Sequence, residues 1–349
     1  MLLHLLMLQE GCHGDQKRAP CIVCLKGTAL SPQEKALLQQ HRPIGVMLLT
    51  ANCASEAQVK ALTQEIHALG ILVAVDIEGK LVNRLRKFYP LDKNPVDFRD
   101  TSSDEVYQYF NKIAMYTKSL GIDIIFGPVT DVSCVGSYMT ERAFSDDPTL
   151  VAQRAFAVIK SYQDAGILPV VKHLPGHGKA ADSHEGLPKV NASREVLLAC
   201  DIKASQQVIQ LVRQHKRILP AVMTAHVHYP ALDPTRPATF SPVIQETWIR
   251  GRIGVGADVI VFSDSLHMGA VQEFVSQRYQ GENPLAKAYA LFLEAGGDIA
   301  IFGMVVREDG TQKITGTIED LARIPNLFEH KSTTVLPKLH ALLPLPLHR

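Results

Sequence analysis

The chain has 349 residues, of which 46% are hydrophobic and 20% are charged. This is the composition of a globular protein with a large core, and the net charge of +1 gives no reason to expect a nucleic acid as partner. No apolar stretch approaches the ~20 residues of a membrane span, and six cysteines in so long a chain do not form a disulfide framework. We therefore predict no nucleic-acid or membrane partner and a reducing, cytoplasmic setting.

The N-terminal segment shows no clear pattern, and we predict that residues 1–18 form a leader of uncertain structure. Met1–Leu8 is apolar, but it lacks the basic segment and the small-residue cleavage site of a signal peptide. No low-complexity linker or change of composition divides the chain beyond it. We therefore predict one domain over residues 19–349.

From about residue 19 onwards, short apolar runs alternate with helix-sized segments. The runs are continuously apolar, which indicates strands buried on both faces, as in a parallel sheet covered by helices. An open, doubly wound sheet is possible, but no Gly-rich dinucleotide fingerprint follows the first run. Eight β/α units close a TIM barrel, so the predicted fold class is α/β, a (β/α)8 barrel. The predicted strands are Cys21–Leu25, Gly45–Leu49, Leu72–Asp76, Asp123–Gly127, Leu168–His173, Ala221–Val227, Asp258–Asp264 and Ile299–Phe302.

Helix signals fill the intervals between the strands. Ser31 predicts a helix start, because Pro32 takes the first helical position and Glu34 follows three residues after the cap. Ser55 begins a second helix that stops at Gly70. Further helices are predicted over Asp104–Leu120, Pro148–Ala165, Ser193–His215 and Pro284–Ala295.

Cys21 and Cys24 have the spacing of a metal or redox pair, but they lie within one predicted strand. Strand alternation places residues three apart on opposite faces. We therefore predict two buried cysteines with a structural role.

Titratable side chains stand at the ends of four predicted strands. Asp76 ends the third strand, Lys172 and His173 end the fifth, His226 ends the sixth and Asp264 ends the seventh. The carboxyl ends of barrel strands meet at one face, where active sites are built. A single carboxylate there could be a helix cap, but four such ends together predict an active site.

Asp264 follows a run of apolar residues and is predicted to point into the mouth of the barrel. The simpler interpretation is a cap for the helix that follows. The functional interpretation is a nucleophile, or a carboxylate that stabilises a cationic transition state.

The segment from Lys172 to His184 gathers two cations, three imidazoles and a carboxylate into thirteen residues with two glycines. His177, Asp182 and His184 are residue types that bind zinc or iron. Alternatively, Asp182 orients His184 and favours its protonated form, so that the pair donates a proton. The spacing alone does not decide between a metal site and a proton-donating pair.

These segments resemble the motifs of family-three glycoside hydrolases, specifically the bacterial β-N-acetylglucosaminidases of peptidoglycan recycling. The most distinctive is Lys172-His173-x-Pro175-Gly176-His177-Gly178 followed by Asp182-Ser183-His184. The resemblance spans nearly the whole chain. Its other motifs are Asp76-Ile77-Glu78-Gly79 with Val82 and Arg84, Gly121–Val132, Arg142–Pro148, Met223–Pro230, Ser263–Met268 and Ala295–Asp298.

The resemblance implies a retaining exo-β-N-acetylhexosaminidase that releases terminal N-acetylglucosamine from muropeptide fragments. Asp264 would form a covalent glycosyl-enzyme intermediate, and His184, oriented by Asp182, would protonate the leaving oxygen and later activate water. No metal or organic cofactor is implied, and we expect a monomer. The resemblance assigns sugar binding to Asp76, Arg84, Arg142, Lys172 and His173.

Several alternatives stay open from the residues themselves. Arg84 could hold Asp76 as an ion pair rather than bind sugar, His177 is expected to brace its loop, and His226 to hydrogen-bond within the barrel top. The same fold could act on β-glucosides or xylosides, or the chain could be a catalytically impaired sugar-binding paralogue. A metal-dependent hydrolase would use His173, His177, Asp182 and His184.

The chain departs from the family's pattern at three places. Three residues rather than four separate Gly178 from Asp182, and Lys80 and Thr140 stand where glycine is usual. Every residue of the implied machinery is nevertheless present, so we predict an active enzyme.

Overall fold

A computed structural model of the protein describes residues 18–134, 136–308, 311–330, 332 and 334–342. Eight parallel strands close into a barrel in chain order, with the last strand paired to the first. The predicted (β/α)8 TIM barrel is therefore confirmed. The strands are β1 (Ala19–Val23), β2 (Pro43–Leu48), β3 (Leu72–Asp76), β4 (Ile124–Val129), β5 (Leu168–Leu174), β6 (Ala221–Thr224), β7 (Val261–Ser265) and β8 (Ile299–Ile301).

All eight predicted strands are present, and Leu72–Asp76 is matched residue for residue. The boundaries of the others differ by a few residues, most clearly in β6, which was predicted to extend to Val227. Val227 lies in the loop after β6, where it is fully buried in a cluster that includes residues of the surrounding helices. Hydrophobicity reports burial, whereas a strand end is decided by backbone pairing, so the apolar run overestimated the strand.

Alternate residues of each strand serve two different cores. In β3, Leu72 and Ala74 pack inside the barrel, whereas Val73 and Val75 face the surrounding helices. Cys24 likewise lies in the interior cluster and Cys21 in the outer one, which confirms that the two cysteines point to opposite faces. This double burial explains the continuously apolar strands.

The helices surround the barrel, and their caps follow the sequence. Ser31 Oγ accepts from the N–H of Glu34 at 3.1 Å, and the Glu34 carboxylate accepts from the N–H of Ser31 at 2.9 Å. The helices are α1 (Pro32–His41), α2 (Glu56–Ala68), α3 (Ser103–Ser119), α4 (Pro148–Asp164), α5 (Arg194–Ala199), α6 (Asp201–Gln214), α7 (Gly269–Arg278), α8 (Pro284–Glu294), α9 (Ile318–Leu321) and α10 (Val335–Leu342), with a π-helix over Val243–Ile253 and 3₁₀ turns over Thr50–Asn52, Pro95–Phe98 and Ala238–Phe240.

The single helix predicted over Ser193–His215 is wrong, because it is interrupted at Cys200 and forms α5 and α6. The reason is tertiary. Asp201 turns its carboxylate inward to accept the N–H of Val132 at 2.9 Å, and the chain restarts its helix there.

A hairpin that was not predicted follows β8. Its strands β9 (Met304–Glu308) and β10 (Thr311–Thr315) pair antiparallel. Residues 1–17 of the predicted leader lie outside the described residues, whereas Arg18 is buried and pairs with Ser332. The single-domain organisation stays a prediction. None of the described helices is long and apolar enough to cross a bilayer.

Candidate active site

The charged side chains at the ends of β3 and β5 form one network at the carboxyl face of the barrel. Lys172 Nζ lies 2.9 Å from Asp76 Oδ1 and 2.7 Å from Glu78 Oε1. Arg84 donates to Asp76 Oδ2 from Nη2 at 2.8 Å and from Nε at 3.1 Å. Arg142 donates to both oxygens of Glu78, each at 2.8 Å. Three cations and two carboxylates thus hold one another in fixed positions, and we call these five residues the floor network.

The floor network stays charged near neutral pH. Burial by itself raises the pKa of both carboxyls, but the neighbouring cations outweigh it, and they lower the pKa of Glu78 to about 2 and hold that of Asp76 far below its usual range. Burial would lower the pKa of Lys172, but Asp76 and Glu78 raise it instead. The network therefore presents charge-assisted donors and acceptors, which suit the hydroxyls of a sugar.

Arg84 forms the ion pair with Asp76 that was predicted as one of its two roles. Its side chain also lines the cavity at this face, so it is placed to contact a bound sugar as well. Glu78 was not singled out as a site residue, although it lies two positions after Asp76 in the same motif.

The His173 imidazole lies between two carboxylates, those of Asp131 and Asp264. Its Nδ1 lies 2.7 Å from Asp131 Oδ2, and its Nε2 lies 3.8 Å from Asp264 Oδ2. The fully buried Asp131 also accepts the N–H of His177 at 2.6 Å. Asp131 thus orients one imidazole and anchors the start of the following loop. It was not predicted as a site residue, although it lies within the Gly121–Val132 motif.

Asp264 lies at the tip of β7 with its side chain 24% exposed. One oxygen, Oδ1, accepts the N–H of Ser265 at 2.7 Å. Burial raises the pKa of Asp264, but the imidazoles of His173 and His226 and the Lys172 ammonium outweigh it and lower the pKa below its usual value. Asp264 is therefore ionised near neutrality, as a nucleophile must be. It does not cap α7, whose N-cap residue is Met268.

Asp182 and His184 form a hydrogen-bonded pair on the loop after β5. Asp182 Oδ1 lies 2.6 Å from His184 Nδ1 and accepts the N–H of His184 at 3.0 Å. Burial raises the pKa of Asp182, but the hydrogen bonds from His184 outweigh it and lower the pKa. An ionised carboxylate thus fixes the orientation of the imidazole and leaves Nε2 available for proton transfer.

The loop that is one residue short still brings His184 to the barrel mouth. Its end docks on the start of α7, where the carbonyls of Ser183 and His184 accept the N–H groups of Ala270 at 3.1 Å and Gly269 at 3.3 Å. A Cβ on Gly269 would lie 2.5 Å from the His184 carbonyl oxygen, so this approach requires glycine. His177 spans the loop, with Nε2 3.2 Å from Ser183 Oγ.

The two replaced glycines do not disturb the site. Lys80 and Thr140 are exposed, and neither is among the residues with positive φ, which outside glycine are Arg42, Lys216 and Asn326 in the part of the chain described. A side chain therefore fits at both positions without backbone strain.

His226 lies inside the barrel top, as predicted. Its Nδ1 is 2.6 Å from Thr239 Oγ1 and its Nε2 is 2.9 Å from the carbonyl oxygen of Ser265. Both ring nitrogens are thus engaged by the scaffold.

Two adjoining cavities open at the carboxyl face, and Asp264 and His184 line both of them. One of them, which we call the polar cavity, is lined mainly by polar side chains, and the other is lined by polar and apolar side chains together. Both are also lined by Asp76, Arg84 and Met268; the polar cavity adds Glu78, Tyr138, Arg142, Lys172, His173 and His177, and the mixed one adds Met47, Leu49, Phe126, Met223 and Ile301.

The residues named for a metal site are engaged with other partners. Among the described residues, no group of three or more His, Cys, Asp or Glu side chains is arranged to hold a metal ion. The Nδ1 atoms of His173 and His184 face Asp131 and Asp182, and His177 Nε2 faces Ser183. These contacts engage one ring nitrogen of each imidazole, and the proton-donating pair stays a prediction.

The family described as "Glycosyl hydrolase family 3 N terminal domain" matches residues 16–336. The chain belongs to this family. A β-hexosaminidase of Alkalilimnicola ehrlichii is 35% identical over 298 residues, which are 81% of this chain and 80% of that protein. A β-hexosaminidase of Nitrosomonas eutropha is 33% identical over 282 residues, 76% of this chain and 77% of the relative. The predicted glycoside hydrolase of the β-hexosaminidase group is confirmed.

The chain is also similar to solved structures of glycoside hydrolases. Native NagZ from Neisseria gonorrhoeae matches with a TM-score of 0.75 and 27% identity over 94% of this chain and 91% of that one. The family-three β-N-acetylglucosaminidase from Paenibacillus also has a TM-score of 0.75, with 25% identity over 92% of this chain, which spans 60% of the Paenibacillus chain. A NagZ structure in complex with N-trifluoroacetyl-D-glucosamine matches with a TM-score of 0.69, 25% identity and 93% and 98% coverage.

Proposed function

We propose that the protein is a retaining exo-β-N-acetylhexosaminidase that releases terminal N-acetylglucosamine from muropeptide fragments containing anhydro-muramic acid. It acts in the cytoplasm as a monomer, during recycling of the cell wall. The observation that carries the proposal is that Asp264 and His184 line the same cavities, beside the floor network. One pyranose in the polar cavity would then meet a carboxylate and an imidazole together.

In the first step, a carboxylate oxygen of Asp264 forms a bond to C1 of the terminal sugar while the bond from C1 to the glycosidic oxygen breaks. His184 gives its proton to the departing oxygen, and the Asp182 carboxylate stabilises the imidazolium beforehand. The imidazole takes the place of the second carboxylate found in most retaining glycosidases. This substitution is chemically reasonable because an ordinary imidazole titrates near ~6.5, close to working pH.

In the second step, the now neutral His184 takes a proton from water, and the water oxygen attacks C1 and displaces Asp264. The sugar leaves with its original anomeric configuration, and both groups return to their starting protonation states. The floor network binds the hydroxyls in both steps: Asp76 accepts from them, and Lys172, Arg84 and Arg142 donate.

The identity of the sugar rests on the relatives. The two sequence relatives reported above carry the name β-hexosaminidase, and one neighbouring structure is a complex with an N-acylated glucosamine analogue. The muropeptide aglycone follows from the resemblance to enzymes of peptidoglycan recycling.

The decisive test is Asp264→Ala with azide. The variant should lose turnover of an aryl β-N-acetylglucosaminide by at least ~10³-fold, and azide should restore part of it and yield a glycosyl azide detectable by mass spectrometry. Asp258→Ala is the matched control, because Asp258 is exposed at the other end of the strand region and should keep full activity. A near-normal rate for Asp264→Ala would remove Asp264 from this role.

A panel of aryl glycosides tests the substrate. We expect kcat/KM for the N-acetylglucosaminide to exceed the values for the glucoside and the xyloside. A preference for either of the latter would replace the hexosaminidase with the corresponding glycosidase. Binding of N-acetylglucosamine without hydrolysis of any member would indicate an impaired sugar-binding paralogue.

A further inference from the structure

Tyr138 is a large aromatic residue on the rim of the polar cavity, in the loop between β4 and α4, and it belongs to none of the motifs named above. Its side chain is 39% exposed, although an aromatic ring gains free energy from burial. The ring lines the cavity together with His177, His184 and Asp264. An exposed ring beside the reacting groups needs an explanation.

Arg142 of the floor network contacts the Tyr138 ring. The Arg142 guanidinium lies over it at 5.1 Å from the ring centroid, a cation–π contact. Arg142 is itself fixed by two hydrogen bonds to Glu78. The adjacent Met139 is fully buried with Val129 and Ala143, so the backbone beside Tyr138 is anchored as well.

The other contacts of the ring are with the catalytic loop. The ring centroid of Tyr138 lies 6.3 Å from that of His184, edge to face at 60°, and 6.1 Å from that of His177 at 50°. His177 is buried and braced by Asp131 and Ser183, whereas the His184 side chain is 45% exposed. Among the described residues, the His184 imidazole therefore has a hydrogen-bond partner in Asp182, on its own loop, and an aromatic neighbour in Tyr138, on another loop.

We propose that Tyr138 is a positioning residue: its ring holds the His184 imidazole over the cavity and couples the acid–base loop to the floor network through Arg142. The inference rests on the proposed function, in which His184 is the proton donor. The ring rather than the phenol oxygen does this, because no hydrogen bond of that oxygen is found among the described residues. The contact also suits a loop that is one residue short, since it supplies an external support for the imidazole.

The test compares two substrates that differ in their need for an acid. An aryl β-N-acetylglucosaminide with an acidic phenol needs little protonation, whereas an alkyl β-N-acetylglucosaminide needs it fully. For Tyr138→Ala we expect kcat/KM to fall about tenfold or more on the alkyl substrate and less than about threefold on the aryl one, a part of the ~10²–10⁴-fold that general acid catalysis contributes. Tyr138→Phe should behave as the wild type on both.

Two controls make the outcome specific. Met115→Ala removes another exposed apolar side chain, on the distant α3, and should change neither rate. In the His184→Ala background, Tyr138→Ala should add no further discrimination between the substrates, because the group that it positions is gone.

Equal losses on both substrates for Tyr138→Ala would overturn the inference. So would a further increase in discrimination when Tyr138→Ala is added to His184→Ala, or a Phe variant as impaired as the Ala variant. If His184→Ala itself fails to discriminate between the substrates, the proposed acid role fails instead. The two failures are therefore distinguishable.

Discussion

The floor network and His184 of the Asp182–His184 pair line the same cavity, but the two groups are built differently. Lys172 and Glu78 are 3% and 4% exposed, and each ion of the floor network contacts an ion of opposite charge. The side chains of Asp182 and His184 are 30% and 45% exposed, and both lie on one Gly-rich loop. The proposed sugar-binding groups are thus fixed by ion pairs, while the proposed acid–base pair is held by a few contacts at the surface.

This difference follows the demands of the proposed reaction. Groups that bind hydroxyls work best when their geometry is set before the sugar arrives. A group that donates a proton, accepts one and then lets the product leave benefits from a loop that can move. Substitutions in the floor network should therefore lower stability and sugar binding, whereas substitutions in the Asp182–His184 pair should lower the rate with little loss of stability.

The largest effect is expected for Lys172→Met. This substitution removes the cation between Asp76 and Glu78 and leaves buried negative charge, so the free energy of unfolding in urea should fall by about 3–5 kcal/mol and sugar binding should be lost. Lys60→Met breaks an exposed ion pair with Glu56 and should change stability by less than about 1 kcal/mol. Similar small losses in both variants would mean that the floor network is not the rigid part of the site.

His184→Ala should show the opposite behaviour. We expect at least ~10²-fold lower kcat/KM on substrates with poor leaving groups, much smaller loss on activated aryl glycosides, and a free energy of unfolding within ~0.5 kcal/mol of the wild type. Steady-state kinetics with both substrate types and urea titration check this. A loss that is equal on the two substrates would argue against the acid role.

A smaller effect is expected at Asp201, which packs against Gly176 and Gly178 in the loop after β5. A Cβ on Gly176 would lie 2.0 Å from Asp201 Cβ, and Asp201 also accepts the N–H of Val132. Burial and the nearby Asp131 raise the pKa of Asp201 to about 7. The raised folded-state pKa contributes stability that is complete below the unfolded pKa, ~3.9, and is lost as the pH rises through about 7.

Asp201→Asn keeps the acceptor oxygen and removes this titration. Relative to the wild type, the variant should therefore gain roughly 1 kcal/mol or more in the free energy of unfolding between pH 5 and pH 8. Urea titrations of both proteins at the two pH values measure the difference. A stability difference that does not change with pH would show that Asp201 is ionised throughout this range.

The order of strands could be predicted because burial on both faces leaves a direct trace in the sequence. Leu72–Asp76 was predicted without error, and Asp76, Lys172, His173 and Asp264 were expected together because parallel strands in a barrel end at one face. The break at Cys200 and the hairpin after β8 were missed. The first depends on a contact between Asp201 and Val132, which are far apart in the chain.

By itself the sequence determined the barrel, the face that carries the site and the identity of most charged residues there, since these depend on local hydrophobicity and on the position of polar residues after each strand. Apart from Arg84 with Asp76 and Asp182 with His184, which lie close together in the chain, tertiary structure alone decided how these charges are paired. Asp131 faces His173 and Glu78 faces Arg142 across 42 and 64 positions of the chain. Tyr138 meets His184 only because the loops after β4 and β5 fold over the same cavity. Pairing between separate loops depends on distances in space, which periodicity and composition do not encode.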